Sequence, residues 1–201
     1  MSDETSSAAL DAVPAGAVVM VGGPGGVGKT TVSRLVAATF DVSVHIDADD
    51  FLASIVSGAV DPNLAAAERQ NDAVGGALAV STMSFAQDGY TTVLDGCFLP
   101  ENARGLAAAC TARGLAFHYV VLTADLDTCW KRASSRSPGR WPLEYGPFAA
   151  VHQRFAATDL HARHLVDATA SPERVSGSVV SALRDRRLVF PDDPSADEHT
   201  P

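Results

Sequence analysis

The stretch that decides the fold reads Ala17-Val18-Val19-Met20-Val21-Gly22, then Gly23-Pro24-Gly25-Gly26-Val27-Gly28-Lys29-Thr30-Thr31. Ala17–Val21 is a short apolar run ending in glycines, the pattern of a strand buried on both faces. Gly23 to Thr30 fits G-x-x-x-x-G-K-[ST] at every fixed position. Helical composition follows to Thr39, so the motif has the strand–loop–helix context that its chemistry needs. Glycines let the backbone curl until successive N–H groups face phosphate oxygens, and a helix N-terminus adds partial positive charge. Gly23, Pro24, Gly25, Gly26, Val27, Gly28, Lys29, Thr30 and Thr31 are therefore the expected nucleotide-binding residues. Lys29 is suited to the β- and γ-phosphates, the Thr30 hydroxyl to Mg²⁺, and Thr31 to the α-phosphate.

Outward from this loop, apolar strands alternate with helices. Strands are expected at Val42–Ile46, Thr91–Leu94, Ala116–Leu122 and His164–Asp167. Helices are expected over Asp50–Ser57, Asn63–Gln87, Glu101–Arg113, Asp125–Ser134, Phe148–Thr158 and from Pro172 to about Arg187. This alternation implies an α/β domain of three layers, with a five-stranded parallel sheet between helices. Residues 1–14 are read as a disordered leader, 15–190 as a single domain, and 191–201 as an acidic disordered tail.

Carboxylates close two of the strands. Asp47-Ala48-Asp49-Asp50 follows the second, and Asp95-Gly96 follows the third. Ligands of open α/β sheets bind outside the carboxyl ends of strands. An acid there can accept a proton from a substrate hydroxyl or hold a metal, while another caps the next helix.

Together, GGPGGVGKTT and HIDADDF resemble the small P-loop kinases grouped around zeta toxins and chloramphenicol phosphotransferases, a group also described among AAA-type ATPases. Gluconate and adenylylsulfate kinases are more distant relatives. The resemblance covers residues from about 17 to 187 and implies a nucleoside-kinase-like P-loop NTPase fold. In those kinases a D-x-D motif ends the second strand and its second Asp is the general base. That position is Asp49 here, with Asp47 the first carboxylate and Phe51 the following aromatic. An acid-Gly pair ends the third strand, so the resemblance leaves Asp95 either to Mg²⁺ with Thr30 or to the phosphoryl acceptor. Gln70 and Asn71 lie on the helix that borders the acceptor in the related kinases. They are candidate substrate contacts, with Asp47 and Asp95.

Between Lys131 and Arg154 stand Lys131, Arg132, Arg136, Arg140 and Arg154 against one acid, Glu144. This matches the R-x-x-x-R entry to an Arg-rich lid, placed at about 135–147, which implies that Arg132 and Arg136 join Lys29 and Asp49 as catalytic residues. Asp167–Ser171 falls where relatives cradle adenine. No N-K-x-D guanine motif occurs, so ATP with Mg²⁺ is the expected cofactor, with GTP left open. Cys97 and Phe98 stand where zeta toxins carry polar acceptor contacts, pointing toward a more apolar acceptor such as an antibiotic-like alcohol. Trp130 and Trp141 are read as packing residues. His161 and His164 are read as surface or capping residues, and neither they nor His152 as metal ligands.

Composition sets the remaining bounds. The net charge of −9 comes mostly from Asp3, Glu4 and Asp11 at one end and Asp192, Asp193, Asp197 and Glu198 at the other. No basic arm suggests nucleic acid as a partner. Cys97, Cys110 and Cys129 lie in apolar stretches without CxxC spacing, as buried hydrophobes of a reduced cytoplasmic protein do. No apolar run reaches the roughly 20 residues of a membrane span. The expectation is an ATP-dependent phosphotransferase acting on a hydroxyl of a small molecule, as monomer or homodimer. A nucleotide-dependent switch or ATPase, or a zeta-toxin-like kinase of nucleotide sugars, is the alternative.

Overall fold

A computed structural model describes residues 13–136 and 139–191. The expected leader and acidic tail lie almost entirely outside them.

Strand β1 (Val18–Gly22) leads through the glycine loop into helix α1 (Lys29–Ala37), followed by β2 (Ser43–Asp47) and α2 (Ala48–Ala53). Helix α3 (Glu68–Gln87), β3 (Thr91–Asp95), α4 (Pro100–Thr111) and β4 (Phe117–Thr123) come next. The chain ends with α5 (Leu126–Ser134), α6 (Tyr145–Ala156), β5 (Leu165–Asp167) and α7 (Pro172–Arg184). The five strands form one parallel sheet in the order β2-β3-β1-β4-β5.

Period-two alternation along β1 explains why an unbroken apolar run works as its centre. Val19 and Val21 pack on one face with Val32 and Val36 of α1 and Val175, Val179 and Leu183 of α7. Val18 and Met20 pack on the other with Leu78 and Met83 of α3 and Ala103 and Leu106 of α4. Burial of each such side chain is worth about 1.5–3 kcal/mol. The strand order reverses beside β1, which places the phosphate loop at a switch point of the sheet.

Element boundaries differ from the sequence reading where a cap or turn decides them. Helix α2 starts at Ala48, directly after the strand, because Asp47 is its N-cap and accepts the Asp49 N–H at 2.9 Å. The long helix begins at Glu68, after a 3₁₀ turn at Ala65–Ala67, and runs unbroken through Gly75 and Gly76. Helix α6 begins at Tyr145 and shortens the expected lid, because Pro147 is tolerated in a first helical turn. The α5–α6 connection is thus 135–144, of which 137 and 138 lie outside the described residues. Among the described residues, no helix is long and apolar enough to cross a membrane.

Candidate active site

The phosphate loop is built from backbone that side chains would obstruct. Gly26 has φ 72°, and a Cβ there would lie 2.1 Å from the Cys129 carbonyl oxygen of α5. Gly26→Ala is expected to destabilise the fold by about 2 kcal/mol, since left-handed backbone alone costs an L-residue roughly 1–2 kcal/mol before the clash is relieved. A thermal melt of the variant, with nucleotide titration beside it, checks this; an unchanged midpoint would refute the clash.

Gly28 caps α1 from the left-handed region, with φ 108°. No side chain caps this helix and no acid lies in its first turn among the described residues. Its first amides therefore face the loop's hollow, ready for an anion. Lys29 Nζ donates to the Pro24 carbonyl at 3.0 Å and lies 3.8 Å from Cys97 Sγ. Thr31 is exposed on α1. The Phe148 ring covers Gly25 and meets Trp130 edge-on at 5.2 Å, while Trp130 meets Tyr145 at 5.1 Å, forming an aromatic wall beside the loop.

Three oxygen donors converge at the start of α1. The Thr30 hydroxyl lies 3.0 Å from Asp95 Oδ1 and 3.2 Å from Asp47 Oδ2. Register explains the pairing, because Asp47 and Asp95 are direct partners across β2 and β3, and β1 adjoins β3. Asp47 therefore both caps α2 and reaches Thr30. Asp95 is 1% exposed and also contacts His45 Nε2 at 2.5 Å, a residue without any motif to announce it.

This donor set suits Mg²⁺, which takes oxygen ligands and completes its shell from phosphates and water. Among the described residues, no group of three or more His, Cys, Asp or Glu could hold a metal ion. The three histidines have structural partners, and His164 is fully buried, not at the surface, because its ring packs beside Tyr119 and Phe190. His152 and His164 donate to the carbonyls of Ala124 and Tyr119, and His161 accepts from the Arg163 N–H.

Asp49 follows on α2, at the open side of the cleft. Its side chain meets solvent, yet the cleft walls exclude enough water to raise its carboxyl above the usual 3.8. The neighbouring carboxylates of Asp47, Asp95 and Asp50 push the same way, against the pull of Lys29.

Several expected contacts lie elsewhere. The Gln70 carboxamide is occupied at both ends, accepting from Val60 N–H at 2.8 Å and donating to Val60 O at 2.9 Å. Asn71 donates to the Pro62 carbonyl at 2.9 Å. In the structure both fasten the loop before α3. The Arg132 guanidinium donates to the carbonyls of Val27 at 3.3 Å and Ala168 at 3.0 Å, which ties the phosphate loop to the turn after β5. Arg132 thus links the phosphate loop to the turn where the resemblance places adenine. Arg136 lies beyond the end of α5 and is exposed, so the two arginines do not share a helix face. Arg140 crosses to the Ile55 carbonyl at 2.7 Å and lies over the Trp141 ring. Cys110 and Cys129 are buried as expected; Cys97 is exposed beside Lys29 because its turn opens toward the cleft.

Residues 18–158 match the family model described as an AAA domain, and the chain belongs to that family. No curated protein matches it in sequence. Solved structures share its fold at low identity. A gluconokinase from Sinorhizobium meliloti superposes with TM-score 0.59 at 16% identity, covering 87% of this chain and 95% of its own. The tunicamycin resistance protein of Deinococcus radiodurans gives 0.57 at 16%, covering 82% and 94%. The Mycobacterium tuberculosis APS kinase, solved with AMPPNP and APS, gives 0.61 at 16%, covering 85% and 98%. The fold is that of the P-loop kinases.

Proposed function

We propose that this protein is a kinase that moves the γ-phosphate of Mg·ATP to a hydroxyl of a small molecule. The observation that carries the reading is Asp49. It opens to the cleft beside Lys29, no hydrogen bond engages its carboxylate among the described residues, and its proton affinity is raised. A general base needs these properties. Asp47 and Asp95, by contrast, are committed to Thr30.

In the reaction, the acceptor hydroxyl gives its proton to Asp49 as its oxygen bonds to the γ-phosphorus. The bond from that phosphorus to the β,γ-bridging oxygen breaks and ADP leaves. Lys29 neutralises charge on the phosphates, and Arg136 approaches them from the lid side. Arg132 frames the base end of the site. Thr30, Asp47 and Asp95 are the residues to hold Mg²⁺, which when bound neutralises charge on the β- and γ-oxygens.

The AMPPNP-bound APS kinase of the same fold supports ATP as donor. Phe98, half-buried against Gly96, and the exposed Cys97 favour an apolar alcohol, such as an antibiotic, as acceptor. The free thiols favour a reducing, cytoplasmic setting, and the proposed partner is a small-molecule acceptor met by a monomer or homodimer. Incubation with Mg·ATP and a panel of hydroxyl compounds, read by mass spectrometry, tests the reading. The expected result is one compound that gains a phosphoryl group; steady ATP hydrolysis with no labelled compound across polar and apolar alcohols would reject it.

A further inference from the structure

The structure assigns to His45 the role of a positioning residue that orients Asp95 toward the metal side of the site. Its activity arm rests on the kinase reading above; its binding arm does not.

His45 and Asp47 are two apart on β2 and so share a face of the sheet. Asp47 pairs with Asp95 in register, and His45 pairs with Val93, so His45 reaches Asp95 diagonally across neighbouring strands. The contact joins His45 Nε2 to Asp95 Oδ2 at 2.5 Å. An ionised carboxylate can only accept, so Nε2 carries the hydrogen and donates it.

The second Asp95 oxygen, Oδ1, accepts from the Thr30 hydroxyl at 3.0 Å. Both carboxylate oxygens are thereby committed, one to His45 and one toward Thr30. Asp95 is also 1% exposed, which keeps it away from an incoming acceptor. The alternatives that the sequence left open for Asp95 therefore separate. It belongs to the Mg²⁺ side, and acceptor chemistry falls to Asp49. His45 touches neither phosphate chemistry nor acceptor; it acts through Asp95 by fixing which oxygen faces Thr30. Loss of such an outer partner weakens a metal site roughly 10- to 100-fold.

The test is calorimetric titration of the full chain with ATP over a range of Mg²⁺ concentrations, with an EDTA control. In the wild type, Mg²⁺ is expected to tighten ATP binding. In His45→Ala, the Mg²⁺ concentration giving half of that tightening should rise roughly 10- to 100-fold, with affinity in EDTA unchanged. His45→Gln places an amide N–H near the position of Nε2 and should recover most of the shift. In the activity assay the same Mg²⁺ displacement is expected, with the acceptor KM unaltered and the rate restored by excess Mg²⁺.

Equal loss of ATP affinity with and without Mg²⁺, an unshifted Mg²⁺ dependence, or a raised acceptor KM alone would overturn the assignment. Should His45→Ala fail to give a cooperative melt, comparing His45→Gln with His45→Leu reads the same shift. A calorimetric shift without any phosphorylated product rejects the kinase reading and upholds the role of His45.

Discussion

Asp49→Asn is expected to slow phosphoryl transfer by about 10²–10⁴-fold, the usual contribution of a positioned general base, while ATP binding stays near the wild-type value. The amide keeps the shape of the carboxyl and removes its capacity to take a proton. Lys29→Ala, measured beside it, is expected to lose nucleotide affinity as well, because its ammonium belongs to the phosphate loop. Untouched transfer in Asp49→Asn would remove Asp49 from the base role. The same substitution has a stability signature with a defined sign. Because the folded-state proton affinity of Asp49 is raised, its ionisation opposes folding, and stability falls as pH rises through its folded value. Asp49→Asn should therefore melt higher than wild type at neutral pH, and the gain should fade in acid.

Acid acts oppositely through His118. His118 sits on β4 opposite Val19, is 2% exposed, and has no hydrogen-bond partner at either ring nitrogen among the described residues. Burial, then the positive fields of Arg186 and His164, push its pKa from 6.5 to about 4. The folded-state value is depressed, so the unfolded chain takes the proton first. Stability is undiminished above pH 6.5 and declines as the pH falls toward 4, by about 3 kcal/mol at roughly 1.4 kcal/mol per unit. Urea unfolding of wild type and His118→Leu at pH 7.5 and pH 4.5 checks this. The variant should lose less stability on acidification by an amount of that order, and parallel losses in the two proteins would sink the attribution.

The parts of this site that were legible in the sequence are those fixed by local rules. The phosphate loop needs its glycines at fixed spacing, and β1 needs apolar residues at every position because both of its faces are covered. Asp47 and Asp95 could be placed at strand ends for the same reason. What stayed hidden depends on registration between strands distant in sequence. The β2–β3 register brings His45 to Asp95 and aligns Asp47 with Asp95 at Thr30, and no spacing rule carries that information. Gln70 illustrates a second kind of hidden contact. A polar residue amid a helix reads as a surface or substrate group, whereas the loop before α3 folds back and uses both ends of its amide. Arg132 illustrates a third, where a lid-like pattern of charge is diverted to backbone carbonyls made available only by tertiary folding.

The Arg132 bridge has an energetic consequence for the arriving nucleotide. One guanidinium nitrogen donates to both Val27 in the phosphate loop and Ala168 after β5, two residues nearly inaccessible to solvent. The two carbonyls converge on one nitrogen, Arg132 Nη1, so the separation of cradle and opposite rim is fixed by two hydrogen bonds to a single atom. Two loops far apart in sequence are thereby held together by one side chain. Nucleotide entry then requires little ordering of these loops, and more of the contact energy remains as affinity.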